Sequence, residues 1–149
     1  MKKVLNIKSP EEMILLGEKL GGNLEANMVI LMEGDLGAGK TTMTKGIAKA
    51  LGVDRVVNSP TFTILKIYEG RLPLYHMDVY RLSNESGDEY LEEYFEAGGV
   101  TIIEWASQIS SILPSEYLLV TIDYLSDGTR NVTLESESKD YIKLIESVE

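Results

Sequence analysis

The chain has no cysteine, one histidine and one tryptophan. Without thiols it has neither a disulfide framework nor thiolate chemistry. A lone imidazole, that of His76, argues against a dedicated metal centre built on histidines. Arginine is scarce, at Arg55, Arg71, Arg81 and Arg130 only. No apolar run nears the roughly 18 residues that a membrane-spanning helix needs. The opening Met-Lys-Lys-Val-Leu-Asn-Ile also lacks the apolar stretch of a secretory signal. A cytoplasmic protein with no membrane partner is therefore expected. There is no internal repeat and no low-complexity tract.

What is present is a lopsided charge. The formal net charge is -10, with 11 Lys/Arg against 9 Asp/Glu in residues 1–81 and 3 against 15 in residues 82–149. An acidic C-terminal half repels polyanions, so unaided nucleic-acid binding through it is disfavoured. A basic protein partner or a plain solvated surface both fit. The 149 residues, 44% of them hydrophobic, suit one domain spanning 1–149 that buries about two-thirds of its unfolded surface.

The most specific feature is Gly34-Asp-Leu-Gly-Ala-Gly39-Lys40-Thr41, which fills every fixed position of the phosphate-loop pattern G-x-x-x-x-G-K-[ST]. Glycines let successive backbone amides turn inward around phosphates, here those of Asp35, Leu36, Gly37, Ala38 and Gly39. Lys40 would reach the β- and γ-phosphates and Thr41 would hold Mg²⁺, while the helix start adds its partial positive end. The context is right. Met28 to Met32 is an unbroken apolar run fit for a buried parallel strand, and Met43, Ile47, Ala50 and Leu51 recur at helical spacing up to Gly52. The pattern predicts strand, glycine-rich turn, helix.

Elsewhere, Val4 to Ile7 reads as a strand, followed by a capping box at Ser9-Pro-Glu-Glu12 and a helix running to Leu20 before Gly21-Gly22. Ile64 to Tyr68 is extended. Leu72 to Tyr80 alternates, with Leu74, His76, Asp78 and Tyr80 on one face and Tyr75, Met77 and Val79 on the other. Together these predict an antiparallel edge hairpin beside a mostly parallel sheet, with Pro73 at a strand start or edge. A short acidic helix over Asp88 to Phe95 and a buried strand over Val100 to Ile103 follow. Tyr117 to Ile122, Arg130 to Leu134 and a last helix over Lys139 to Val148 carry no recognisable motif.

A phosphate-loop site needs a carboxylate at a neighbouring strand end to manage Mg²⁺. Glu104, closing an apolar strand, and Asp78, between His76 and Arg81, are the two candidates for catalysis and metal binding, together with Lys40. Ser59 and Thr61 lie where a loop sensing the terminal phosphate is often placed, although Ser-Pro-Thr is also an ordinary turn. Trp105 suits stacking or packing equally. A small P-loop kinase remains an alternative, but such enzymes surround the transferred group with arginines that this chain lacks. A guanine-reading Asn-Lys-x-Asp is absent. A nucleotide-gated assembly factor with negligible catalysis would share the same site.

Taken together, Gly34 to Thr42, Ser59-Pro-Thr-Phe62, His76-Met-Asp-Val-Tyr-Arg81 and Ile103-Glu-Trp105 resemble, in order and spacing, the TsaE (YjeE) family of bacterial P-loop ATPases of tRNA threonylcarbamoyladenosine biosynthesis. The resemblance spans about residues 1–135. It implies an α/β, P-loop NTPase-like three-layer sandwich, with ATP and Mg²⁺ as cofactors. It also implies a weak ATPase acting with the TsaD–TsaB pair to support repeated turnovers at tRNA adenosine 37, with tRNA reached only through partners. By position, Lys40 and Thr41 hold phosphate and Mg²⁺, Thr42 supports them, Ser59 and Thr61 belong to the switch-like loop, and Asp78 and Glu104 are the catalytic acids. His76, Tyr80, Arg81 and Trp105 are supporting or partner-facing.

Overall fold

The two most continuous apolar runs become neighbouring central strands. In a computed structural model, described for residues 1–35, 38–58, 64–80 and 88–148, β2 (Val29–Gly34) pairs in parallel with β5 (Val100–Glu104) and with β6 (Leu118–Tyr124). Around them lie β1 (Lys2–Ile7), β3 (Leu65–Tyr68), β4 (Leu74–Asp78) and β7 (Arg130–Glu135), giving one seven-stranded sheet in the order β1-β7-β6-β2-β5-β4-β3. β4 is parallel to β5, and β3 closes that edge as the expected antiparallel hairpin. Pro73 falls just before β4, where its missing N–H takes nothing from the ladder.

The opposite edge departs from the expectation of a single antiparallel hairpin. β7 runs antiparallel to both β6 and β1, so a second antiparallel ribbon flanks the parallel core. Its cause is local. Asp127-Gly128 turns the chain, with Gly128 at φ 88° and the Leu125 N–H donating to the Thr129 carbonyl at 2.9 Å. Asp-Gly between alternating segments is a strong short hairpin signal.

Alternation along the strands sorts side chains between two apolar clusters. Ile30, Met32, Leu74, Ile102, Val120 and Val132 join one cluster with the three helices, α1 (Pro10–Gly21), α2 (Lys40–Ala50) and α3 (Lys139–Glu146). Val29, Leu31, Met77 and Ile103 join the other, with 3₁₀ segments at Asp88–Glu96 and Ala106–Ile112. Helical layers thus cover both sides of the sheet. The acidic segment expected as a short helix winds instead as 3₁₀ turns that still bury Leu91 and Phe95.

Two details carry α1 to the site. Ser9 caps it, its Oγ accepting the Glu12 N–H at 3.1 Å, while Glu12 reaches back to the Lys8 N–H at 3.0 Å, one residue earlier than a regular capping box. Farther along, Gly17 and Gly46 let α1 and α2 touch backbone to backbone. A Cβ on Gly17 would collide with the Met43 carbonyl, and one on Gly46 with that of Ile14. This contact holds the start of α1 beside the start of α2.

Candidate functional site

At the carboxyl end of β2 the chain turns through the phosphate-loop motif into α2. Gly39 sits at φ 122°, a conformation that L side chains rarely adopt, and as the N-cap it offers no side chain to the first turn of α2. No acidic residue occupies that turn. Among the described residues no side chain caps this end, so its amides and positive dipole face the loop, the arrangement that binds an anion. The Ala38 N–H closes the turn onto the Asp35 carbonyl at 3.0 Å. Asp35 is exposed, and Thr41 and Thr42 are half-buried on the first turn. Leu36, Gly37, Ser59, Thr61 and Arg81 lie outside the described residues.

Lys40 is the charged centre. It is 6% exposed, its Nζ donating to the Gly34 carbonyl at 2.8 Å and standing 3.7 Å from Glu104 Oε1. The Trp105 ring covers it at 4.6 Å, a cation–π contact that shields the ammonium. Trp105 itself is left-handed at φ 63°, a conformation costing about 1–3 kcal/mol in a bulky residue, so the chain leaves β5 under strain directly after Glu104. Tyr80 packs edge-on against Trp105 at 4.9 Å.

Glu104 and Asp78 are register partners on adjacent parallel strands and share a face. Both are buried, at 4% and 6% exposed. Glu104 Oε2 lies 2.7 Å from His76 Nε2, and its backbone carbonyl accepts the Val79 N–H at 3.2 Å. Asp78 Oδ1 accepts the Tyr80 N–H at 3.0 Å, and the Asp78 N–H donates to the Ile64 carbonyl at 2.7 Å. Nearby, burial raises the carboxyl pKa of Glu33, with the Lys40 charge partly opposing it.

The donor set suits a Mg²⁺–nucleotide rather than a protein-only metal nest. Among the described residues no three His, Cys, Asp or Glu side chains converge. Mg²⁺ ordinarily keeps several waters and takes one or two carboxylates plus phosphate oxygens, which Glu104, Asp78 and the Thr41 hydroxyl would complement.

Sequence reasoning missed Arg130. It opens β7, and its Nε donates to the Ala38 carbonyl at 2.6 Å across 92 residues, while its guanidinium lies 4.8 Å over the Tyr124 ring. With Ser9, Pro10, Met13, Gly39 and Thr42 it lines a cleft of about 70 Å³ on the side of the loop away from Glu104. One signal was available: Arg130 is the only arginine after residue 81. A larger cleft, about 530 Å³, opens near Glu25 to Val29 at the amino end of β2, whereas open α/β sheets bind ligands outside the carboxyl ends of their strands.

With this geometry in view, the chain can be set beside known proteins. Residues 7–132 match the family described as Threonylcarbamoyl adenosine biosynthesis protein TsaE. The tRNA threonylcarbamoyladenosine biosynthesis protein TsaE of Bacillus subtilis (strain 168) is 47% identical over 141 residues, covering 94% of this chain and 89% of that protein. The protein of the same name from Treponema pallidum (strain Nichols) is 39% identical over 135 residues, covering 85% and 96%. The crystal structure of Bacillus subtilis YdiB superposes with a TM-score of 0.87 at 41% identity, covering 98% of this chain and 93% of that one.

Proposed function

The chain belongs to the TsaE family of threonylcarbamoyladenosine biosynthesis proteins, and on that premise we propose that it is an ATP-binding, slowly ATP-hydrolysing accessory protein of tRNA modification. It works in the cytoplasm with the TsaD–TsaB pair, supports repeated rounds of threonylcarbamoyl transfer to adenosine 37, and meets tRNA only through those partners. The observation that carries this reading is the buried Lys40–Glu104 pair at the mouth of an uncapped helix, 3.7 Å apart and roofed by Trp105.

Lys40 and the first-turn amides of α2 bind the phosphates, charge-assisted hydrogen bonds being about twice as strong as neutral ones. Thr41 and one of the two acids, Glu104 or Asp78, would hold Mg²⁺, directly or through water. The metal, when bound, neutralises phosphate charge and polarises the terminal phosphoryl group. Of the two acids, the one not on Mg²⁺ orients the attacking water. Trp105 and Tyr80 limit solvent around Lys40, which strengthens every charge interaction there.

Turnover of the isolated protein is slow for a stated reason. Arginine fingers contribute roughly 10³- to 10⁵-fold in the P-loop GTPases, whereas arginine is scarce in this chain and Arg81 is the only one borne by a motif near the site. Partners are expected to raise the rate. The deciding assay follows threonylcarbamoyl transfer to tRNA by TsaD–TsaB over several turnovers with ATP, with and without this protein. A requirement after the first turnover supports the reading, and phosphorylation of a small molecule instead would favour a kinase.

A further inference from the structure

His76 is the chain's one histidine and is fully buried on β4, two residues before Asp78 on the same face. A histidine at such a place in a core strand needs a reason, since an aliphatic residue would fill it without a polar ring to satisfy. Its only partner among the described residues is Glu104, 2.7 Å from Nε2, and Nδ1 has none. Glu104 faces the Lys40 ammonium with its other oxygen. A carboxylate accepts only, so in this contact the Nε2–H donates to Oε2.

We propose that His76 is a positioning residue for Glu104. Its Nε2–H fixes Oε2, and this fixes the plane of the carboxylate so that Oε1 is presented to Lys40 and the phosphate end of the site. With Trp105 leaving β5 immediately afterwards, Glu104 is held by its own strand, by Lys40 and by His76. Remove the imidazole donor and the carboxylate can rotate away from Lys40 within an otherwise intact sheet. The inference rests on the ATPase reading above and deepens it by naming the group that aims the acid.

The test combines kinetics with a measurement on nucleotide-free protein. His76→Leu, which keeps the bulk and loses the donor, is expected to cut ATP turnover at saturation by about 10- to 100-fold, the usual cost of removing a ligand's orienting partner. Nucleotide affinity should change by less than about threefold. His76→Gln, whose amide can donate from near the Nε2 position, should recover most of the rate. With one histidine, ¹⁵N imidazole spectra give one residue's signals: a protonated Nε2 is expected, with the Nε2–H signal displaced in Glu104→Gln.

A ring not protonated at Nε2, or one unaffected by Glu104→Gln, overturns the proposal without any change at position 76. So does wild-type turnover in His76→Leu, or parallel loss of rate and affinity that His76→Gln does not restore. If the wild-type protein neither binds nor hydrolyses ATP, the ATPase reading itself falls and takes this inference with it. An active wild type beside an unimpaired His76→Leu removes the inference alone.

Discussion

On the β5 side of the phosphate loop, Lys40, His76, Asp78 and Glu104 are each at most 6% exposed, whereas on the β7 side Thr42 and Arg130 are only half-buried around a small cleft. The first wall is made of ionisable groups taken out of water, three of which, Lys40, Glu104 and His76, contact one another through Glu104. The second is one long cation laid across the loop's own backbone. Buried charges have few alternative arrangements, because each lost contact leaves a desolvated group unpaired. A half-buried guanidinium can shift and keep a solvated partner. On the proposed function, acids on the β5 side are expected to matter most for turnover, and the β7 side for the shape of the loop around the nucleotide.

Substitutions on the two walls should therefore fail in different ways. Lys40→Met removes the ammonium and leaves Glu104 with His76 alone. Turnover is expected to fall by about 10³-fold and nucleotide binding to weaken with it, in line with losses on removing a donor from developing charge. The melting temperature should also drop, since breaking a buried ion pair costs about 3–5 kcal/mol. Glu104→Gln keeps the shape and hydrogen-bonding reach but removes the charge. Here turnover should fall by about 10²-fold while calorimetric affinity for ATP stays within about threefold. Equal loss of rate and affinity in Glu104→Gln would erase the proposed distinction between the walls.

Arg130→Leu should behave oppositely. The charge-assisted hydrogen bond it loses is to the loop's own Ala38 carbonyl and is worth about 1.5–3 kcal/mol, so the loop should loosen and affinity weaken by about 10-fold, with turnover of bound nucleotide nearly unchanged. The smallest effect belongs to Glu33. Burial raises its folded pKa, so the folded state holds that proton more readily than the unfolded chain does. Its stabilising contribution is present below the ordinary glutamate range and is lost as pH rises through the raised value. Glu33→Gln should flatten that part of the stability–pH curve, read from melting temperatures across the window. A curve unchanged by the substitution would mean that Glu33 is better solvated than its place at the end of β2 indicates.

The same contrast explains what could be read from sequence. The loop was legible because its glycines and lysine are demanded by backbone geometry and charge at fixed offsets. Glu104 stood out as a carboxylate ending an apolar strand, and Asp78 as an acid flanked by His76, Tyr80 and Arg81 in a segment too polar on one face to be plain core. The faces of β4 followed from alternation, Leu74 joining one cluster and Met77 and Val79 the other. Arg130 was not legible. Its meeting with Ala38 is created by the β6–β7 ribbon, whose Asp127-Gly128 turn carried a hairpin signal that was passed over. His76 was visible as a lone polar residue, but only the β4–β5 register, which sets it two positions from the Asp78–Glu104 pair, brings its ring to Glu104. The 3₁₀ winding of residues 88–96 was hidden too, since apolar spacing marks a buried face without deciding between α and 3₁₀ turns.

The central claim is that the amide end of α2 and the Lys40–Glu104 pair together form a Mg²⁺–ATP site. Calorimetric titration of the wild-type protein and Lys40→Met with ATP and Mg²⁺, each alone and with TsaD–TsaB present, tests it most directly. The account predicts saturable one-to-one binding by the wild type that Lys40→Met loses. Absence of binding by folded wild-type protein in both settings, or equal binding by the two proteins, would contradict it.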